Sequence, residues 1–159
     1  MNSIVRDQFG VLKMTVALRD QLLEVLSDSD LRFTLPGHNV SLGALCREMG
    51  EVQYAYVESY RTFKQDFSYR NPEPGLDTSV AKLKAWFEAL DTDLYAVLES
   101  LSEDDIQHKA IERGGGFDPL PTVQLHVFRE GLLIFYGKAS IYLKAMERPL
   151  PGDWPNWIA

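Results

Sequence analysis

Apolar residues recur along this chain at steps of three, four and seven, the spacing of one helix face, and hardly anywhere at the alternating steps of a strand. From Ser3 to Leu26, the residues Val5, Phe9, Leu12, Val16, Leu23 and Leu26 fall on one side and predict a first amphipathic helix. Pro36 and Gly37 break the pattern, and Ser41 is placed to cap a second helix, in which Leu42, Leu45, Met49, Val52, Tyr56 and Phe63 repeat to about Asp66. In the third segment Val80, Leu83, Phe87, Leu90, Leu94, Val97 and Leu101 alternate steps of three and four, the seam of a helix packed nearly parallel to its neighbours. A connection, SEDDIQHKAIERGGGFDPLPT, follows. Asp118 and Pro119 suit the cap and first position of a fourth helix that runs to about Met146. Four long helices joined by loops of moderate length predict an all-α four-helix bundle, residues 1–159 in one domain, with sites built between facing helices.

The fourth helix departs from this simple pattern. Leu132, Leu133, Ile134, Phe135, Tyr136, Ile141, Tyr142 and Leu143 cannot share one narrow seam, so a second cover is expected. The closing PLPGDWPNWIA, with Trp154 and Trp157 folding back, could supply it. A second copy of the chain is the competing cover, and a homodimer is expected on that ground.

Composition narrows the function classes. With 159 residues, 45% hydrophobic and 25% charged, the chain has the make-up of one domain with a sizeable core. A net charge of −7 without a dense Lys/Arg cluster argues against nucleic acid or an anionic membrane surface as the main partner. The charged N-terminal stretch does not read as a signal peptide, and no segment reaches the roughly 18 apolar residues of a membrane span, so a cytoplasmic protein is expected. Cys46 is the only cysteine, which rules out an internal disulfide and reads as a small buried hydrophobe. The glycines at 114–116 lack the preceding strand and following Gly-Lys-Ser/Thr of a phosphate loop. Ser41, Ser59 and Ser140 carry no nucleophile–base signature, so serine hydrolase chemistry is not predicted.

Candidate chemistry sits in LHVFREGLLIFYGKASIYLKAM. His126 and Glu130 lie one turn apart, the way a helix offers imidazole and carboxylate to one metal ion. Glu130 also falls on the line Val123, Val127, Ile134, Ile141, which reads as a buried stripe. A carboxylate there must be hydrogen-bonded, paired, metal-bound or protonated.

Three stretches, SLGALCREMGEVQYAY, YGKASIYLKAM and LPGDWPNW, resemble the DinB-like four-helix bundles, which include bacillithiol transferases and mycothiol-dependent maleylpyruvate isomerases. The resemblance implies one divalent-metal ligand early in helix two and two more, four residues apart, in helix four, all normally histidine. Here those positions hold Glu48, Glu130 and Ile134. Two readings stand side by side. In one, Glu48, His126 and Glu130 rebuild a harder metal site suited to Mn²⁺ or Fe²⁺, with Zn²⁺ or Ni²⁺ as alternatives, and serve a thiol S-transferase or hydrolase with Tyr56 or Tyr136 as donors. In the other, no metal cofactor is expected: Glu130 pairs with Arg47, Arg129 or Lys138, and a pocket involving Tyr56, Ile134, Tyr136 and His38, or a dimer surface, binds a small molecule or partner. The residues favour the second reading over the first, and over a lesser third in which Glu48 and Glu130 act as acid and base of a metal-free pocket. His108, after an acidic run, reads as a surface residue.

Overall fold

The computed structural model describes residues 1–158 and is all-α. Four long helices, α1 (Ser3–Val25), α2 (Leu42–Thr62), α3 (Val80–Ser100) and α5 (Pro121–Ala145), are joined by loops carrying the short α4 (Glu103–His108) and followed by α6 (Trp154–Trp157). The described residues contain no strand, only isolated bridges between Thr34 and Ser41 and between Lys64 and Glu112. None of the helices is long and apolar enough to cross a membrane.

Local chemistry starts the helices. Asn2 accepts from the Val5 amide, Ser41 from Ala44 at 3.1 Å and Ser102 from Asp105 at 3.0 Å, each satisfying a donor that the helix itself leaves unpaired. Asn2 also donates to the carbonyls of Leu98 and Leu101, which fastens the start of α1 to the end of α3. The acidic first turn of α4, Glu103 to Asp105, complements the positive end of its dipole, and that short helix lies where the sequence predicts only a connection.

Two predicted boundaries shift. The second helix stops at Thr62 rather than near Asp66, because Phe63 takes a left-handed conformation (φ 57°) and the chain turns to bond with Glu112. The fourth begins at Pro121, not at Asp118–Pro119. The Asp118 carboxylate is engaged by the Arg113 amide at 2.8 Å, and the Pro119 carbonyl accepts from Ile111, so neither is free to start a helix.

In the core, α2 packs on α3 and α5, and α1 packs on the same two. Leu12, Leu22, Leu83, Leu94, Phe128 and Leu132 are fully buried. Each such side chain contributes about 1.5–3 kcal/mol relative to exposure. Close approach of α2 depends on Gly50, where a Cβ would lie 2.3 Å from Cζ3 of Trp86 on α3. Trp154 is fully buried, donates to the Leu18 carbonyl at 2.8 Å and stacks obliquely on Tyr136. Trp157 stays 48% exposed, so only half of the expected tryptophan cover forms.

Candidate functional site

The groove between α2 and α5 brings together several of the residues singled out in the sequence. Leu45, Met49 and Val52 repeat at four and three along α2 and form one wall; Gly131, Ile134 and Phe135 of α5 form the other. Glu48 and Lys138 stand on opposite rims. The groove encloses about 140 Å³. It adjoins a second depression of about 280 Å³, lined by Leu35, His38, Asn39, Val40, Ile141 and Tyr142, which shares Leu45, Glu48 and Lys138 with the first. Together they make an apolar trough bounded by one anion and one cation, with an exposed histidine at one end.

The stripe Val123, Val127, Glu130, Ile134, Ile141 is not buried as its spacing predicts. Ile134 is 62% exposed, Ile141 56% and Val123 44%; Glu130 is exposed, and Val127 is half-buried. The buried face of α5 is the opposite one, Leu125, Phe128, Leu132, Phe135, Tyr136, Ala139 and Leu143. Both faces carry apolar residues at helical spacing. Contact with α1 and α2 selects the one with the larger side chains.

Glu130 consequently has none of its expected ion pairs among the described residues. Arg47 bonds Glu51 at 3.1 Å, Arg129 donates to the Thr15 hydroxyl at 3.3 Å, and Lys138 has no carboxylate partner among the described residues. The buried glutamate is Glu51, which also accepts from the Asn71 amide at 3.0 Å. Its one-turn spacing from Arg47 was the available signal.

His126 is exposed on α5 and lines neither depression. Among the described residues no three His, Cys, Asp or Glu side chains are grouped so as to hold a metal ion, so Glu48, His126 and Glu130 do not form a fitting ligand set. The tyrosines are committed elsewhere. Tyr136 is fully buried and donates to the Thr15 carbonyl at 2.7 Å, and burial pushes its phenol well above the ordinary range. Tyr56 is 4% exposed, packs on Phe128 and accepts from Arg113 at 3.3 Å. Cys46 is buried, and burial alone pushes its thiol up to about 12, so it is not a reactive thiolate.

A buried polar network lies between α1, α2 and α3, away from the groove. Arg19, 1% exposed, donates to Asp91 at 3.0 and 2.5 Å and to Gln53 at 3.1 Å, with its guanidinium 4.3 Å from the centre of the Phe87 ring. Burial opposes the charge on Arg19, and the Asp91 carboxylate more than offsets it. With both partners occupied, this is a structural pair.

The chain matches no known family model and no curated protein.

Proposed function

We propose that this chain is a DinB-like four-helix bundle without the family's three-histidine metal centre, and that it works by binding through the α2–α5 face. Support for the architecture comes from four long helices in which α1 and α2 each pack on α3 and α5. Support for the site comes from the resemblance and the groove coinciding: Glu48 and Ile134, at two positions where the family carries ligating histidines, both line it. The observation that carries the binding reading is the exposed apolar strip Val123, Ile134 and Ile141, of which Ile134 and Ile141 line a trough whose walls are also apolar. Exposed apolar surface of this kind marks an interaction site. The matching partner is apolar along its middle, with charges opposite Glu48 and Lys138.

Two measurements test this reading. At submicromolar protein, the fluorescence of 8-anilinonaphthalene-1-sulfonate should rise on the parent chain and fall severalfold on Ile134→Lys, while Met14→Lys, at an exposed apolar residue on α1, should leave it unchanged. Equal fluorescence on both variants overturns the proposed face. Adding Mn²⁺, Fe²⁺ or Zn²⁺ to chelator-treated protein should leave the melting temperature unchanged. A rise of several degrees that is lost in both His126→Ala and Glu48→Ala would instead establish the metal-dependent transferase or hydrolase reading.

A further inference from the structure

The outer face of α5 carries apolar residues at equal distances on either side of Ile134, with one pair of opposite charges among them. About Ile134, residues at four positions on either side are Glu130 and Lys138, at seven Val127 and Ile141, and at eleven Val123 and Ala145. At about 100° per residue, all of these lie within about 40° of Ile134 around the helix. At three positions on either side stand Gly131 and Gly137, and a Cβ added at either would meet nothing within 4 Å. Packing within the chain therefore does not require glycine there, although glycine in mid-helix costs about 1 kcal/mol relative to alanine. Small residues in that position allow another helix to approach closely.

We infer that the occupant of this face is a second copy of the chain, with the two α5 helices packed antiparallel about a two-fold axis that passes beside Ile134. An isologous interface sets each residue opposite its counterpart across the axis. Ile134 then meets Ile134 of the partner subunit, and the Val127 end of one helix lies along the Ile141 end of the other. Glu130 sits at the height of the opposing Lys138, about 6 Å along the helix from the axis, and this occurs twice. Glu130 and Lys138, the exposed charges flanking Ile134, form no ion pair among the described residues, and their signs match only when the helices run antiparallel. A parallel pair would set Glu130 against Glu130 and Lys138 against Lys138. The described stripe, from Val123 to Ala145, is about 33 Å long at 1.5 Å per residue. One helix pair of that length, helped by the α2 edge of the groove, falls at the low end of stable interfaces, so association depends on concentration.

This inference rests on the α2–α5 face being the binding surface, and the experiment separates the two. Sedimentation of the full chain should give a mass rising from 18.1 kDa toward twice that value as concentration reaches about 0.5 mM. Glu130→Lys alone and Lys138→Glu alone should each weaken association about tenfold or more, because like charges then oppose each other at two places. Mixed in equal amounts, the two variants should recover parental association as heterodimers, and the double swap Glu130→Lys/Lys138→Glu should recover it alone. Under mild oxidation Ile134→Cys should cross-link to its own copy, while Val123→Cys should not. A mixture no better than its components overturns the antiparallel register. A parent that stays monomeric at the highest concentration, with the dye still marking the face, overturns the dimer and leaves the binding surface standing; loss of the dye result as well removes the surface itself.

Discussion

Removing Asp91 should expose how much the helical core depends on one buried ion pair. Asp91 accepts two hydrogen bonds from Arg19 and one from Gln53 at 2.8 Å, and its partner's side chain is only 1% exposed. In Asp91→Ala the guanidinium keeps Gln53 and Asp20, the latter at 2.9 Å and 55% exposed, but loses its principal counter-charge. Leaving a buried charge without its partner costs about 3–5 kcal/mol, and the two remaining acceptors place this case at the lower end, about 3 kcal/mol. For a chain of this size that is about 6–12 °C in melting temperature. The opposite truncation, Arg19→Met, should cost less, about 1–2 kcal/mol. Asp91 is 16% exposed and can regain water, and the main loss is stacking over Phe87, about 1 kcal/mol. Urea unfolding with unchanged slope would measure both, and the double variant would give the coupling between them. An Asp91→Ala cost under about 1 kcal/mol, or an Arg19→Met cost larger than it, would refute the reasoning.

Glu130→Ala should change stability by less than about 0.5 kcal/mol, as for an ordinary surface position, whereas Glu51→Ala should cost about 2–3 kcal/mol because Arg47 and the Asn71 amide lose their acceptor; thermal melts of the two should differ clearly. Gly50→Ala improves helix propensity by about 1 kcal/mol, yet it should be net destabilising by about 1–2 kcal/mol, since its methyl meets the Trp86 ring; a stabilised variant in urea unfolding would contradict that contact. Burial works against ionised Asp30, but the amide and hydroxyl of Ser27, both at 2.8 Å, and the Arg148 guanidinium outweigh it and hold its pKa below the ordinary carboxylate range. With the folded value below the unfolded one, near 3.9, ionised Asp30 stabilises the fold above about pH 4, and that contribution is lost as pH falls through the folded value. Asp30→Asn should therefore cost about 1–2 kcal/mol at pH 7 and progressively less toward pH 2; a gap that stays constant across that range would argue against it.

The helices themselves were legible in the sequence because their causes are local. Backbone bonds join residues four apart, caps act within three, and the apolar period is fixed by 3.6 residues per turn. Ser41 caps α2 as its position predicts, and six of the seven seam residues of α3 are buried, with Val80 partly so. Boundaries were less legible where a long-range bond competes, as when Phe63 and Asp118 join the turn around Glu112 and Arg113. The face of α5 that turns inward was beyond the sequence altogether. That helix is apolar nearly all round, so two stripes satisfy the same period, and only contact with α1 and α2 chooses between them. That choice buries Leu125, Phe128 and Leu132, and with the same rotation it carries Glu130, Ile134 and Ile141 to the surface. The sequence by itself determined that this chain forms helices with a surplus of apolar surface on the last long one; tertiary packing decided where the surplus lies, because burial is a property of the neighbours a face meets and not of the residues that compose it.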